Sequence, residues 1–427
     1  MSVPVDSAEL AKLFRRGFAT TLALDLITKA VGAATVVVLI RGLSVSSYAY
    51  TTLLLTFAQF AGAAASGGVR TRYLREEAER VSRAGEDVPK GGFFIPLVKG
   101  ILLVIFVGIC AVPVAQTVGF GSKVGGSSPV ILYGVGLAAG FSAVELAIAH
   151  YQAQRRFLTA GGLNIFQATA LLCASLAISA TGESAFSISV WFVAAMAAVA
   201  LIAAGPIARQ SLLALSGFTR LFSFNREEVW LSLYSVTAAG FAYVDVMVAG
   251  ALLSDHQVAT LGASLRYLAI ALGAMPAIGA VLRVRTSQVD VVDSPANQRA
   301  MIVGWIRRAI LPTGLMVGIA SLLAPVVIPA IDSGRYPGSI EAFQIFLVIA
   351  FSAYLTAPAA NVLMAQRGYS VLAFIYAVGL LVNLAGDVAV ARRFGVTGIA
   401  IVSSTVYVAI GLALLIRCLG YASSRNG

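Results

Sequence analysis

The chain has 427 residues, of which 59% are hydrophobic and only 11% are charged, and its mean hydropathy is +0.89. Soluble globular domains contain about 25% charged residues, so this composition excludes an ordinary soluble protein and indicates a polytopic membrane protein. In a soluble chain, the net charge of +11 would suggest binding to nucleic acid. Membrane proteins instead collect such charge in the loops on one side, so no nucleic-acid partner is expected.

Apolar segments long enough to cross a bilayer as helices follow one another along the chain. The sequence therefore predicts an all-α membrane protein with twelve transmembrane helices and no attached soluble domain. The predicted segments are 15–40, 45–67, 93–117, 129–153, 158–180, 186–208, 229–252, 257–281, 302–331, 341–366, 371–391 and 397–418.

The lysines and arginines set the predicted orientation. If the N-terminus is cytoplasmic, the inside connections hold most of the chain's 30 basic residues, including the run from residue 70 to residue 92. Cytoplasmic loops carry this excess in membrane proteins, so both termini are predicted to be cytoplasmic. The first residues lack a cleavage site after a short apolar core, which favours an interfacial helix over a cleaved signal peptide.

The two halves of the sequence resemble each other weakly. The pair Gln154-Arg155 recurs as Gln366-Arg367, and Pro113 recurs as Pro325, both at a spacing of about 210 residues. This spacing predicts two six-helix bundles related by a parallel repeat, with a substrate site between them. The predicted divisions are a cytoplasmic or interfacial N-terminus (1–14), a first bundle (15–210), a cytoplasmic linker (211–228), a second bundle (229–418) and a cytoplasmic tail (419–427).

Several ionisable residues fall inside predicted spans, where they are costly and often functional. Asp245 lies near the middle of the seventh span, within residues 231–253. Asp25 and Lys29 are four residues apart in the first span, so they share a helical face and are expected to pair. Arg266 lies too deep in the eighth span for easy access to the surface. Since Arg binds phosphate with two parallel hydrogen bonds, Arg266 and Lys29 are candidates for binding a diphosphate.

Other polar residues in the spans leave structural and functional interpretations open. Asn383 and Asp387 share a face of the eleventh span and are expected to hydrogen-bond to a neighbouring helix. Glu145 is a deep acid of ambiguous role, and His150, near a helix end, is more typical of a hydrogen-bonded interfacial histidine. Lys99, near the start of its span, is expected to extend to the cytoplasmic surface.

No catalytic or metal-binding motif emerges from the sequence. GxSxG, HExxH and phosphate-loop patterns are absent, and the predicted outside connections are too short for a hydrolase or polymerase site. Cys110, Cys173 and Cys418 lie in apolar runs without CxxC spacing, which indicates small core residues rather than metal ligands. A non-enzyme is therefore predicted, with no catalytic residues, no metal site and no organic cofactor.

Two stretches resemble a known transporter family. Residues 38–54 (VLIRGLSVSSYAYTTLL) contain an Arg, a Leu and a turn of small and aromatic residues, and residues 241–264 (FAYVDVMVAGALLSDHQVATLGAS) contain the central Asp245 and a following turn. Together with twelve helices in two halves, they resemble the polysaccharide and O-antigen (lipid-linked oligosaccharide) flippases of the multidrug/oligosaccharidyl-lipid/polysaccharide exporter superfamily.

The resemblance implies a V-shaped pair of bundles that alternates between inward-open and outward-open states. The substrate would be an undecaprenyl-diphosphate-linked glycan, with its head group in a positive cavity and its tail in membrane lipid of the bacterial cytoplasmic membrane. Polysaccharide polymerases and glycosyltransferases would be its partners. The candidate head-group ligands are Lys29, Arg266, Arg41 and Gln59, and the candidate residues for ion pairing or for coupling to a proton or sodium ion are Asp25, Asp245, Glu145, Asp387 and Asn383.

Three alternatives remain open at this stage. A cation-coupled multidrug exporter of the same superfamily would use the same deep acids, and a flippase for a lipid-linked peptidoglycan precursor would differ in that its loss should be lethal. A membrane scaffold without transport activity would leave the cost of the buried charges without a use.

Overall fold

A computed structural model describes residues 7–84, 92–118, 120, 127–212, 226–275, 278–279, 282, 286 and 294–424. These residues form eleven α-helices and no β-strand, which confirms the predicted all-α class. The helices are α1 (Ser7–Gly42), α2 (Val45–Ala84), α3 (Phe94–Val118), α4 (Ser127–Ala153), α5 (Phe157–Thr181), α6 (Ala185–Leu212), α7 (Arg226–Leu252), α8 (Asp255–Ala271), α9 (Pro295–Asp332), α10 (Gly338–Ala365) and α11 (Tyr369–Ser424). Ten of them are long and apolar enough to cross a membrane. The count of twelve spans and the internal repeat stay predictions.

The second helix is longer than its predicted span of 45–67. It continues to Ala84, so the prediction that the charged stretch beginning at Arg70 forms a connection is wrong for residues 70–84. Arg72 pairs with Glu76 and Arg80 pairs with Glu77, at spacings of four and three residues. Such pairs stabilise a helical turn, which explains why this polar segment remains helical.

The eighth helix is shorter than its predicted span of 257–281. It ends at Ala271, and the amide N–H of Gly273 donates to the carbonyl of Ile270 in a tight turn. In the sequence Pro276 follows, which has no amide N–H to donate and disfavours helical geometry in the residue before it. The apolar run therefore continues past the point at which the helix stops.

The predicted spans 371–391 and 397–418 are two helices joined at Gly395, and we treat the whole segment Tyr369–Ser424 together as α11. The bend lies at Gly395, whose φ of 56° and ψ of −138° are outside the helical region. Glycine adopts this conformation without the steric cost that a side chain would impose. The predicted break is thus present as a bend between two helical arms.

Helix α2 lies at the centre of the assembly. It packs against α3 and α4 on one side and against α7 and α8 on the other. At the α2–α7 contact, a Cβ added to Gly68 would lie 2.8 Å from the backbone nitrogen of Ser232, so only glycine allows this approach. Small residues at such crossings let membrane helices approach closely.

The helix connections lie at two ends of the bundle. The short-turn end comprises the connections at 43–44, 182–184, 253–254 and 333–337, and the charged end comprises the carboxyl-terminal part of α2 after residue 69, the turn at 154–156 and the start of α7. The predicted N-terminal segment is partly described, because α1 begins at Ser7, whereas the predicted linker lies outside the described residues from 213 to 225. The division into two bundles remains a proposal.

Candidate functional site: a buried acid pair and the α1–α8 seam

Asp245 lies buried on α7, where three polar side chains from two helices meet. One carboxylate oxygen accepts a hydrogen bond from the amide nitrogen of Asn383 at 2.7 Å, and the other accepts one from the hydroxyl of Ser403 at 2.7 Å. Both donors belong to α11, on opposite sides of the bend at Gly395. The expectation that Asn383 hydrogen-bonds to a neighbouring helix is confirmed, and both arms of α11 are attached to α7.

Asp387 places a second carboxyl group beside Asp245. It lies one helical turn after Asn383 and has 0% of its surface exposed, and its charge acts directly on that of Asp245. Neither carboxyl oxygen of Asp387 meets a hydrogen-bond donor, and the side-chain oxygen of Asn383 is also without a donor. No ion pair of either acid with a Lys or Arg occurs among the residues that the structure describes.

This group of Asp245, Asp387, Asn383 and Ser403, which we call the acid cluster, has a definite chemical capacity. Two adjacent buried carboxylates repel each other strongly, so they require either a shared proton or a bound cation. The oxygen atoms without donors are the hard ligands that small cations prefer. Ser403 was missed at the sequence level, since a serine in an apolar span is common and only its packing against α7 identifies it.

The two candidate cations lie on different helices, and only Lys29 is placed at the contact between α1 and the turn after α8, which we call the α1–α8 seam. Arg266 is half-buried on α8, and its charge acts on the hydroxyls of Tyr48 and Tyr243. Lys29 is exposed on α1, with its Cγ atom 3.9 Å from the Cβ position of Gly273 in the turn after α8. In the described part of the chain, neither cation forms an ion pair with a carboxylate, so both charges remain available to a ligand.

Asp25 does not form the expected close pair with Lys29. The charges of Asp25 and Lys29 act on each other. In the described part of the chain, however, the two side chains form no ion pair with charged atoms within 4.0 Å. Asp25 is half-buried and Lys29 is exposed, so the shared helical face does not bring their side chains together. The prediction of a formed ion pair is wrong, although the two charges still influence each other.

Arg41 lies at the short-turn end, where it contacts the end of another helix. Its guanidinium donates to the carbonyl oxygens of Ala330 and, at 2.8 Å, Ile331 in the last turn of α9. Arg335, just after α9, donates to the carbonyls of Ile40 and Arg41 at 2.9 and 3.2 Å, in the last turn of α1. The last carbonyl groups of α9 thus accept hydrogen bonds from Arg41 of α1, and the last carbonyl groups of α1 accept hydrogen bonds from Arg335, which follows α9. These reciprocal arginine caps also place positive charge where the helix dipoles are negative.

Glu145 belongs to a set of ion pairs rather than to the acid cluster. It pairs with Arg70 of α2, and both side chains are partly exposed. At the charged end, the buried Glu228 of α7 pairs with Arg72 of α2 and with Lys99 of α3. The expectation that Lys99 extends to the surface is wrong, because its side chain is only 8% exposed.

The remaining candidate residues have simpler environments. Gln59 is half-buried on α2. His150 is a hydrogen-bonded histidine, as expected, but it is buried: one ring nitrogen lies 2.7 Å from the Tyr73 hydroxyl, and the other lies 2.9 Å from the Gln154 amide nitrogen. Among the cysteines only Cys418 is buried; Cys110 and Cys173 are exposed, so the prediction of core positions is wrong for these two.

Similar folds occur among solved transporters. An inward-facing multidrug resistance MATE family transporter of the MOP superfamily matches with a TM-score of 0.67 and 13% identity, covering 95% of this chain and 98% of that chain. Lipid II flippase MurJ, in an inward closed conformation, matches with a TM-score of 0.61 and 12% identity, covering 93% and 87%. A MOP superfamily transporter from Pyrococcus furiosus, described as having a binding pocket of reverse polarity, matches with a TM-score of 0.62 and 13% identity, covering 96% of each chain.

These matches establish the fold. The chain folds like transporters of the MOP superfamily, which includes both drug exporters and a lipid flippase. No family model matches the sequence, and no curated protein matches it. The substrate must therefore be argued from the side chains of this chain.

Proposed function

We propose that this protein is a flippase that moves an undecaprenyl-diphosphate-linked oligosaccharide across the bacterial cytoplasmic membrane by alternating access, as a step in surface polysaccharide biosynthesis. The observation that carries the proposal is the half-buried Arg266 on α8, without an acidic partner among the described residues. Lys29 provides a second such charge at the α1–α8 seam, beside the turn that follows the helix carrying Arg266. Cations within membrane-spanning helices that have no acidic partner among the described residues are costly unless an anion binds them.

A diphosphate is the anion whose chemistry fits these cations. It loses water when it enters a protein interior, so it needs charged hydrogen-bond donors, and Arg266 supplies two in a planar arrangement. Lys29 supplies a further cation from α1, beside the turn at Gly273. In this proposal Gln59 hydrogen-bonds to the head group, and Arg41 contacts it only when the contacts of Arg41 with α9 have broken.

The acid cluster supplies the coupling to a cation in this proposal. Asp245 and Asp387 exchange a proton or hold a sodium ion, and the donor-free oxygen of Asn383 completes the ligand set. Asp25 acts on the charge of Lys29 when no substrate is bound. Glu145, which pairs with Arg70, positions α2 against α4 rather than binding an ion.

The proposed topology follows from the distribution of basic residues. The charged end faces the cytoplasm, the short-turn end faces outward, and both termini are cytoplasmic. Bundles 15–210 and 229–418, joined by the linker 211–228, move relative to each other during transport. Polysaccharide polymerase and glycosyltransferases are the proposed partners, because they would supply and consume the lipid-linked glycan.

The decisive experiment is a gene deletion followed by analysis of surface polysaccharide and of lipid-linked intermediates. The proposal predicts loss of the surface polymer and accumulation of undecaprenyl-linked oligosaccharide on the cytoplasmic side. Complementation with Arg266→Ala should fail although the protein is inserted in the membrane, and Arg266→Lys should restore partial function. Normal polysaccharide in the deletion strain would rule the proposal out.

A cation-coupled multidrug exporter is the second candidate function, because buried acids without a basic partner are also suited to cationic substrates. It predicts unchanged polysaccharide in the deletion strain together with new sensitivity to cationic drugs. Transport of a lipid-linked peptidoglycan precursor, a third possibility suggested by the fold of MurJ, would instead make the deletion lethal.

A further inference from the structure

A cavity of about 520 Å³ lies in the second half of the chain, away from the acid cluster. Its described lining consists of Ala274, Ile278 and Leu282 after α8, one face of α9, and Tyr354 of α10. On α9 it follows residues 300–316, a stripe about 24 Å long that runs parallel to the helix axis. The part of this stripe beyond Arg308 is about 12 Å long and follows the helix axis, as an extended lipid chain would.

Its walls are held together by two hydrogen bonds that join three elements. The indole nitrogen of Trp305 on α9 donates to the backbone carbonyl of Tyr354 at 2.8 Å. The hydroxyl of Tyr354 donates at 2.9 Å to the carbonyl of Ala271, the last residue of α8. The cavity is therefore part of the fold and does not depend on a loose surface contact.

Arg308 and Trp305 lie midway along the α9 lining of the cavity, which is largely apolar on both sides of them apart from Thr313. Helix α9 has 38 residues, whereas about 20 cross the hydrocarbon region of a bilayer. Helix α9 finishes at Asp332, at the short-turn end of the bundle. The roughly 20 residues before Asp332 span the hydrocarbon region, so Arg308 and Trp305 lie close to the lipid head groups on the opposite side, at the charged end. Trp and Arg are typical of that level, and Pro312 and Met316 continue the lining into the hydrocarbon region.

The charge at this level favours an anion. Arg308 is exposed, and no ion pair is recorded for it among the described residues. Ala274 also lines the cavity, and its neighbour Gly273 lies beside the side chain of Lys29. The cavity thus adjoins the α1–α8 seam at Lys29, which forms no ion pair with another described residue.

We infer that this cavity is a docking site for the polyprenyl diphosphate part of the substrate, with the diphosphate on Arg308 and the isoprenoid chain along Pro312 and Met316. This inference rests on the proposed function, because it assigns the cavity to the lipid of the same substrate. From this site the diphosphate moves across the turn at Gly273 to Lys29 and Arg266. The head group and its lipid chain therefore have separate recognition sites.

The test measures binding of undecaprenyl diphosphate to the full-length purified protein in lipid nanodiscs by native mass spectrometry, in competition with phosphatidylglycerol. Arg308→Ala should weaken binding about tenfold or more, since it removes charge-assisted hydrogen bonds. Arg307→Ala is the matched control, because Arg307 is the adjacent exposed arginine and does not line the cavity. It should change binding less than about twofold.

A second pair of variants tests the apolar part of the cavity. Met316→Trp fills the cavity and should weaken binding of undecaprenyl diphosphate, whereas Leu315→Trp, on the exposed neighbouring position, should leave it unchanged. Equal effects within either pair would overturn the inference. Equal binding of phosphatidylglycerol with the same dependence on Arg308 would also overturn it, because the cavity would then be a site for ordinary membrane lipid.

Failure of this inference differs from failure of the proposed function. If Arg308→Ala binds normally while the deletion strain accumulates lipid-linked oligosaccharide, the flippase proposal stands and the docking site is wrong. If Arg308-dependent binding is present and the deletion strain makes normal polysaccharide, the site stands as a polyprenyl diphosphate site and the polysaccharide function is wrong.

Discussion

The buried acids of this protein occur in two contrasting environments. At the charged end, Glu228 is paired with Arg72 and Lys99, so its charge is balanced by neighbouring helices. In the acid cluster, Asp245 and Asp387 lie side by side. Asp245 accepts hydrogen bonds from two neutral side chains, and among the described residues Asp387 accepts none. The comparison teaches that burial alone does not identify a functional acid. A balanced acid joins helices, whereas an unbalanced pair is prepared to take up a proton or cation.

The largest expected effect comes from neutralising the acid cluster. Asp245→Asn and Asp387→Asn should each abolish transport, measured as surface polysaccharide in the complemented deletion strain. Neither should lower the melting temperature in detergent, because each removes one of two repelling charges. Ser403→Ala, which removes only a neutral hydrogen bond, is the milder control and should retain partial transport. Full transport by both Asn variants would show that the acid cluster is structural.

The opposite result is expected for the paired acid. Glu228→Gln should lower the free energy of unfolding by about 3 kcal/mol or more, because the buried ammonium of Lys99 loses this carboxylate. The measurement is an unfolding titration in detergent. The double variant Glu228→Gln with Lys99→Met should recover much of the loss. A single variant as stable as the wild type would remove the distinction between the two environments.

A smaller effect is expected at the short-turn end. Arg41→Gln removes charged donors from two carbonyls of α9 and should cost about 1–3 kcal/mol of stability. Arg393→Gln is the control, because Arg393 is an exposed arginine whose guanidinium carbon lies 5.3 Å from the centre of the Phe394 ring. It should cost less than about 1 kcal/mol. If both variants cost the same, the reciprocal arginine caps add nothing to stability.

The smallest predicted effect is a pH dependence at Glu183, which lies outside the membrane-spanning helices. Partial burial raises its pKa, but hydrogen bonds from Ser44 and Ser47 and the charge of Arg335 outweigh this and hold the pKa below its ordinary value of 4.5. A lowered pKa in the folded state stabilises the protein above pH 4.5, and the contribution disappears as pH falls through the lowered value. The melting temperature of the wild type should therefore fall more steeply below pH 4.5 than that of Glu183→Gln. Parallel curves for the two proteins would contradict the assignment.

Much of the fold could be predicted because bilayer thickness fixes the length of apolar segments. The deep position of Asp245 was also visible, since a lone acid in an apolar span is conspicuous. Its contacts with Asn383 and Ser403 were only half predictable, because they depend on the rotation of α11 against α7. Lys99 was misjudged for a related reason: distance from a helix end says nothing about a carboxylate such as Glu228 on a neighbouring helix. The roles of Arg266 and Lys29 remain predictions, although the structure places Lys29 beside the turn that follows the helix carrying Arg266.

The reciprocal arginine caps have a consequence for motion. Arg41 secures the end of α9, and Arg335 secures the end of α1, so the two contacts depend on the same separation between these helices. Any movement that parts α1 from α9 at this end breaks both contacts together and leaves carbonyl groups of both helices unpaired. Separation of α1 from α9 at this end consequently requires both contacts to break in one step and does not proceed gradually. Because the donors are carried by the moving helices themselves, closing restores both contacts without any other component.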